Sequence, residues 1–154
     1  MNIQEFLVPS GVVPRLVATS KKHAIEQIAA NAAGVSGLDP RAVFELLLER
    51  ERLGSTGLGH GIAIPHGKFA GLDRLCGVFA RLATPIDFDA VDGAPVDLLF
   101  ALLAPENAGA DHLKALGQVS RLLRDRAQCD QLRAARTREA LYTILTRADA
   151  NQAA

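Results

Sequence analysis

The apolar positions change period several times along the chain, and each change marks an element. Val12–Val17 has the composition of a short strand, and Pro14 inside it predicts a sheet edge. Ser20 is set to cap a helix over Lys21–Ala33, closed by Gly34, with Ala24, Ile25, Ile28, Ala29 and Ala32 at helical spacing. Asp39-Pro40 opens a second helix, to about Arg52, with Val43, Phe44, Leu46, Leu47 and Leu48 turned inward. Gly54 to Gly61 reads as loop and Ile62–Ile64 as a short strand. Leu75–Leu82 and Val96–Leu103 are nearly continuous apolar runs, the signature of strands covered on both faces. Between them, Ala83–Pro95 has the Asp, Pro and Gly of a turn region.

Beyond Pro105 the period is helical. Leu113, Leu116, Val119, Leu122 and Leu123 share a face, a break is expected near Ala127–Asp130, and a shorter helix follows. Thr137 is placed to cap a last helix ending near Arg147, leaving 148–154 as a frayed tail. Interleaved strands and helices predict an α/β fold, a mixed sheet between helix layers. The 154 residues are expected to form a single domain over 1–154, with a core of about 3–146.

Composition narrows the function. Lys plus Arg and Asp plus Glu both total 17, so no basic excess favours a nucleic-acid backbone. No run approaches the ~20 apolar residues of a membrane span, and Met1-Asn2-Ile3-Gln4-Glu5 lacks the basic flank of a signal peptide. The expectation is a cytoplasmic protein that neither inserts in membranes nor binds nucleic acid. Cys76 and Cys129 have no disulfide or metal spacing; Cys76 is expected to be a buried free thiol and Cys129 incidental.

The candidate chemistry centres on His66. Ile62, Ile64 and His66 lie on one face if the strand persists that far, so two anchored isoleucines would aim the ring. Pro65 stiffens the approach, and Gly67 leaves room for a partner or phosphate. A neutral imidazole is a nucleophile near neutral pH. His112, near a helix start after Glu106–Ala110, is either an anion-binding donor or a solvated first-turn residue. Arg50 lies three residues after Leu47, four after Leu46 and seven after Val43, so it continues the apolar stripe. It either points a guanidinium at an anion or marks where the helix end rotates outward, since Glu51 also falls near that stripe. Ser55 and Thr56 offer hydroxyls to a phosphoryl oxygen or to the turn. His60, between glycines, and His23, in a first helical turn, read as surface residues.

Other motifs fail. Gly61–Lys68 imitates a P-loop, but Ile62 stands where a glycine is needed and Phe69 replaces the required hydroxyl. Gly57, Gly59 and Gly61 precede a strand rather than the helix of a dinucleotide site. His60 and His66 are six apart, not the four of a helical zinc pair. No metal or cofactor is expected.

The segment Arg50-Glu51-Arg52-Leu53-Gly54-Ser55-Thr56-Gly57-Leu58-Gly59-His60-Gly61-Ile62-Ala63-Ile64-Pro65-His66-Gly67 resembles the active-site segment of bacterial phosphotransferase-system enzyme IIA domains of the fructose/mannitol type, most closely their nitrogen-regulatory branch. Phe100–Asn107 and Asp111-His112-Leu113 give a second match. The resemblance covers roughly residues 3 to 146 and implies a mixed sheet flanked by helices. It implies that His66 is the phosphoacceptor, attacking through Nε2. His112 and Arg50 would stabilise the phosphoryl group, and Thr56 would supply a hydroxyl near it. The implied donor is an HPr-type phosphocarrier, in its nitrogen-branch form. The implied targets are regulatory ones, such as potassium-transport proteins or sensor kinases. Two other readings stand beside it: a IIA protein passing phosphate to a sugar-specific IIB, and a regulatory binding module that carries no phosphate.

Overall fold

The computed structural model describes the backbone of residues 1–153 and the side chains of residues 1–147. After two short 3-10 turns come β1 (Val12–Leu16), α1 (Lys21–Ser36), α2 (Pro40–Arg52), β2 (Gly57–Gly59), β3 (Ile62–Ala63), β4 (His66–Phe69), β5 (Cys76–Ile86), β6 (Val96–Pro105), α3 (Ala110–Arg124), α4 (Arg126–Ala134) and α5 (Arg138–Ala153). The six strands form one mixed sheet in the order β1-β5-β6-β3-β2, with β4 also paired to β6. β1 is an edge strand parallel to β5, as Pro14 requires, and its register shifts between Val13 and Leu16.

β6 is the spine. Leu99, Ala101 and Leu103 face a core shared with α1 and α2, while Leu98, Phe100 and Leu102 face a second core shared with α3, α4 and α5. Both faces are covered, which is why β5 and β6 read as continuous apolar runs rather than alternating ones. β3 and β4 lie end to end along one edge of β6, both parallel to it. Pro65 has no N–H for the ladder, so the strand lapses between them. Its carbonyl still accepts from the Leu102 amide at 2.9 Å.

Several boundaries differ from expectation. α1 passes through Gly34 and ends at Gly37, whose φ of 80° and amide bond to Ala33 O make it the left-handed cap. A Cβ at Gly34 would meet nothing, so that glycine stops nothing. β5 continues past Leu82 to Ile86, accommodated by a register shift against β6. The break after α3 falls at Asp125, not at 127–130. That residue is extended, and its carboxylate caps α4 by accepting from the Gln128 amide. Thr137 does cap α5, through the Ala140 amide at 3.1 Å, but α5 extends beyond the expected end near Arg147. The fraying expected at 148–154 lies outside the fully described residues. Cys76 is half-buried rather than buried; Cys129 is buried, its thiol donating to Leu123 O at 3.1 Å.

Candidate active site

β4 begins at His66, and on that edge of β6 the C-terminal half of α2 and the first turn of α3 close around it. The result is a shallow pocket of about 480 Å³, lined by Leu46, Arg50, Leu53, His66, Lys68 and His112 among others. Ile62 and Ile64 are both buried in the core under α3, as expected of the residues that aim the ring.

The tautomer of His66 follows from one contact. Nδ1 lies 2.7 Å from Ile64 O, and a carbonyl can only accept, so Nδ1 carries the proton. Nε2 is therefore the nitrogen with the free lone pair. Burial pushes the His66 imidazole below its ordinary pKa; the Ile64 hydrogen bond opposes this, the Arg50 charge reinforces it, and Glu51 opposes it. The outcome is a neutral, oriented nucleophile near pH 7.

His112 lies in the first turn of α3, and its ring centroid is 5.8 Å from that of His66, edge to face. The residue is buried, and its Nε2 has no hydrogen-bond partner among the described residues. A buried polar atom without a partner is costly, so a hydrogen-bonding atom of an incoming group would be favoured there. Burial first, then the charges of His66 and Lys68, hold the His112 pKa low.

Arg50 is half-buried at the rim, with Nη1 donating to Gly54 O at 2.9 Å. That bond uses one of five guanidinium donors and leaves the others for an anion. The residue that continues the α2 stripe inward is Glu51: Val43, Leu47 and Glu51, at successive steps of four, are the buried residues of the helix.

Thr56 is a correction. It is buried away from the pocket, and its hydroxyl and amide both donate to the Glu51 carboxylate, the amide at 2.9–3.0 Å. Lys21 Nζ pairs with the same carboxylate at 3.0 Å. Thr56 O then accepts from the Ile64 amide at 3.1 Å. A connected path therefore runs Lys21–Glu51–Thr56–Ile64–His66. The sequence sets Glu51 near the α2 stripe without assigning it a role, although its spacing of four from Leu47 is the signal of an inward position. Ser55 serves the turn: its hydroxyl donates to Phe88 O at 2.9 Å and accepts from the Gly57 amide.

Gly67 also plays another part than expected. A Cβ there would lie 2.4 Å from Leu46 Cδ2, so the missing side chain lets α2 pack onto β4 rather than leaving open space. His60 is exposed and lies outside this pocket. His23 is half-buried in α1, its ring bonded to Thr19 and Gln27.

The pocket thus gathers an imidazole of fixed tautomer, a buried ring nitrogen beside it and a guanidinium at the rim, an arrangement with the chemistry to meet an anionic group. The family model described as "Phosphoenolpyruvate-dependent sugar phosphotransferase system, EIIA 2" matches residues 5–148, and the chain belongs to that family of phosphotransfer components. It is 53% identical over 145 residues to a nitrogen regulatory protein of Bradyrhizobium diazoefficiens, covering 94% of this chain and 95% of that one. Its fold matches the nitrogen regulatory protein IIA-Ntr of Neisseria meningitidis with a TM-score of 0.88 and 41% identity, over 94% of this chain and 99% of the other. A more distant match in fold is the Escherichia coli mannitol enzyme IIA, solved in complex with phosphorylated enzyme IIB. Its TM-score is 0.75 at 21% identity, over 88% and 94% of the two chains.

Proposed function

We propose that this chain is a nitrogen-regulatory IIA protein that accepts a phosphoryl group on His66 Nε2 from an HPr-type phosphocarrier. The observation that carries the proposal is the 2.7 Å bond from His66 Nδ1 to Ile64 O, which leaves Nε2 free in a pocket with donors around it. In the transfer, a new N–P bond forms at Nε2 while the N–P bond of the donor's phosphohistidine breaks. The electron pair of that bond stays on the donor's imidazole. His66 keeps its Nδ1 proton on Ile64 O, which stabilises the positive charge gained by the ring.

The phosphoryl oxygens carry the charge that needs stabilising. His112 Nε2–H is placed to donate to one of them, in the tautomer that ends its isolation, and Arg50 to another. Catalysis of this kind rests on positioning and electrostatics, so few residues suffice. Leu53 and Leu113 flank the site at 83% and 72% exposure and provide apolar contact for the carrier.

The output is regulatory. The modification adds roughly −1.5 to −2 charges to a chain of formal net charge zero, a large local change. Targets such as potassium-transport proteins or sensor kinases would bind one form and not the other. No helix among the described residues is long and apolar enough to cross a membrane. A cytoplasmic carrier as donor puts the reaction in the cytoplasm. A second reading, onward transfer to a sugar-specific IIB, draws on the distant mannitol IIA solved with phosphorylated IIB. Deletion would separate the two, since only the second reading predicts a sugar-specific growth defect.

The test is incubation of wild type and His66→Ala with phosphorylated carrier. Acid-labile, alkali-stable phosphate on the wild type alone is expected. Full acceptance by His66→Ala would overturn the assignment.

A further inference from the structure

A second and larger cavity, of about 590 Å³, lies between the β2–β3 hairpin and the junction of α3 with α4, and none of its lining residues belongs to the His66 pocket. Its rim carries exposed His60, Arg124 and Arg126, and half-buried Leu58 is its accessible apolar residue; Ile62, Leu123 and Cys129 lie buried beneath. Asp130 and Arg133 complete the charged wall. Arg133 is already neutralised by Asp97, through two bonds of 2.8 and 3.0 Å. Against Asp130 there remain Arg124 and Arg126, neither of them in an ion pair among the described residues.

The hairpin over this cavity turns through His60 and Gly61, and the φ of 57° at His60 is what a two-residue turn between antiparallel strands requires. Three contacts fix it there. Its amide donates to Asp92 at 2.9 Å, its carbonyl accepts from Arg133 Nη2 at 2.8 Å, and its Nδ1 accepts from Arg126 Nη2 at 3.3 Å. Gly61 follows at φ 82°, where a Cβ would sit 2.6 Å from Arg133 Nη2.

We propose that this cavity binds a small organic anion, with Arg124 and Arg126 meeting its acidic groups and Leu58 meeting its carbon body. Guanidinium groups suit carboxylate and phosphate oxygens. The volume lies within the roughly 300–1,000 Å³ of small-molecule sites and exceeds what an inorganic ion fills. Leu58 gives a ligand with a carbon body a contact that a bare anion lacks.

The test is an amide NMR titration of the full chain with glucose 6-phosphate and with citrate, against glucose and inorganic phosphate as controls. At least one organic anion is expected to shift Gly59–Ile62 and Leu123–Arg133, more tightly than inorganic phosphate and with glucose inert. The double variant Arg124→Ala/Arg126→Ala should weaken that binding at least about ten-fold. Both arginines are exposed, so the variant should fold, and Arg126→Glu alone is a second variant. His66→Ala should bind the anion unchanged, which keeps this proposal separable from the phosphoryl one. The proposal fails if neither organic anion shifts these resonances at millimolar concentration. It also fails if glucose does so equally, if the shifts centre on His66 and His112, or if the double variant binds like wild type.

Discussion

The His66 imidazole donates its Nδ1 proton to the carbonyl of Ile64, two residues earlier in the same strand edge, at 2.7 Å. A backbone carbonyl cannot exchange roles as a water or hydroxyl would, so the reactive nitrogen is fixed by the fold itself. Pro65 between them leaves Ile64 O turned away from the β6 ladder, while Pro65 O takes the Leu102 amide.

Two nearby charges act on His66 in opposite directions, and this gives a signed prediction. Arg50→Ala removes a positive charge that depresses the His66 pKa, so the pKa should rise. Glu51→Gln removes a negative charge that raises it, so the pKa should fall. NMR titration of the imidazole resonances checks both signs; a shift of the same sign in both variants would contradict the electrostatic picture.

Both His66 and His112 have folded-state pKa values below the ordinary 6.5. Below 6.5 the unfolded chain therefore binds more protons than the folded one. Stability is full above that pH and is lost as pH falls toward the folded-state values. Urea denaturation from pH 8 down to about 5 should show this decline, and His112→Gln should flatten part of it.

Glu51 has a side chain only 2% exposed, bound to Lys21 and to the amide and hydroxyl of Thr56. Glu51→Ala leaves the buried Thr56 donors without a partner, removes the shorter of the two ion pairs of Lys21, and should cost about 3 kcal/mol. Thr56→Ser, which keeps the hydroxyl, should retain most of the transfer rate. A loss of only about 0.5 kcal/mol in Glu51→Ala, as at a surface position, would show the Lys21–Glu51–Thr56 path to be ornamental.

Removing one preorganised donor from a site of developing charge costs on the order of 10²–10³ in rate. His112→Ala should therefore fold normally and accept phosphate at least about 100-fold more slowly. His112→Gln, which retains an N–H donor, should recover part of that rate. Stopped-flow measurement of phosphoryl transfer from the carrier distinguishes this from wild-type kinetics.

How far the sequence foretold this arrangement depends on the range of each interaction. Local signals were legible: Ser20, Asp39 and Thr137 each cap the helix that follows them. The apolar runs of β5 and β6 revealed a sheet covered on both sides. The α2 stripe was read toward Arg50, because Leu46 and Leu47 both point roughly inward and the two projections differ by about 100°. Burial of Glu51 settles on the other projection, and a carboxylate enters the core because Lys21 and Thr56 await it. Neither the Glu51–Thr56 pairing nor the edge-to-face contact of His66 with His112 follows from a periodicity. Both depend on where α2 and α3 meet the edge of β6. The break after α3 is expected at 127–130 but falls at Asp125, because that residue ends one helix and caps the next. The family resemblance, carried by Ile64-Pro65-His66-Gly67, brought together His66, His112 and Arg50, which geometry then places around one pocket.

The most direct test of the account is the site of the phosphate itself. After reaction with phosphorylated carrier, ¹⁵N–³¹P coupling in histidine-labelled protein should place the phosphoryl group on Nε2 of His66, with the Nδ1 proton still present and protected from exchange. Phosphate on Nδ1 of His66, on another residue, or on none would contradict it.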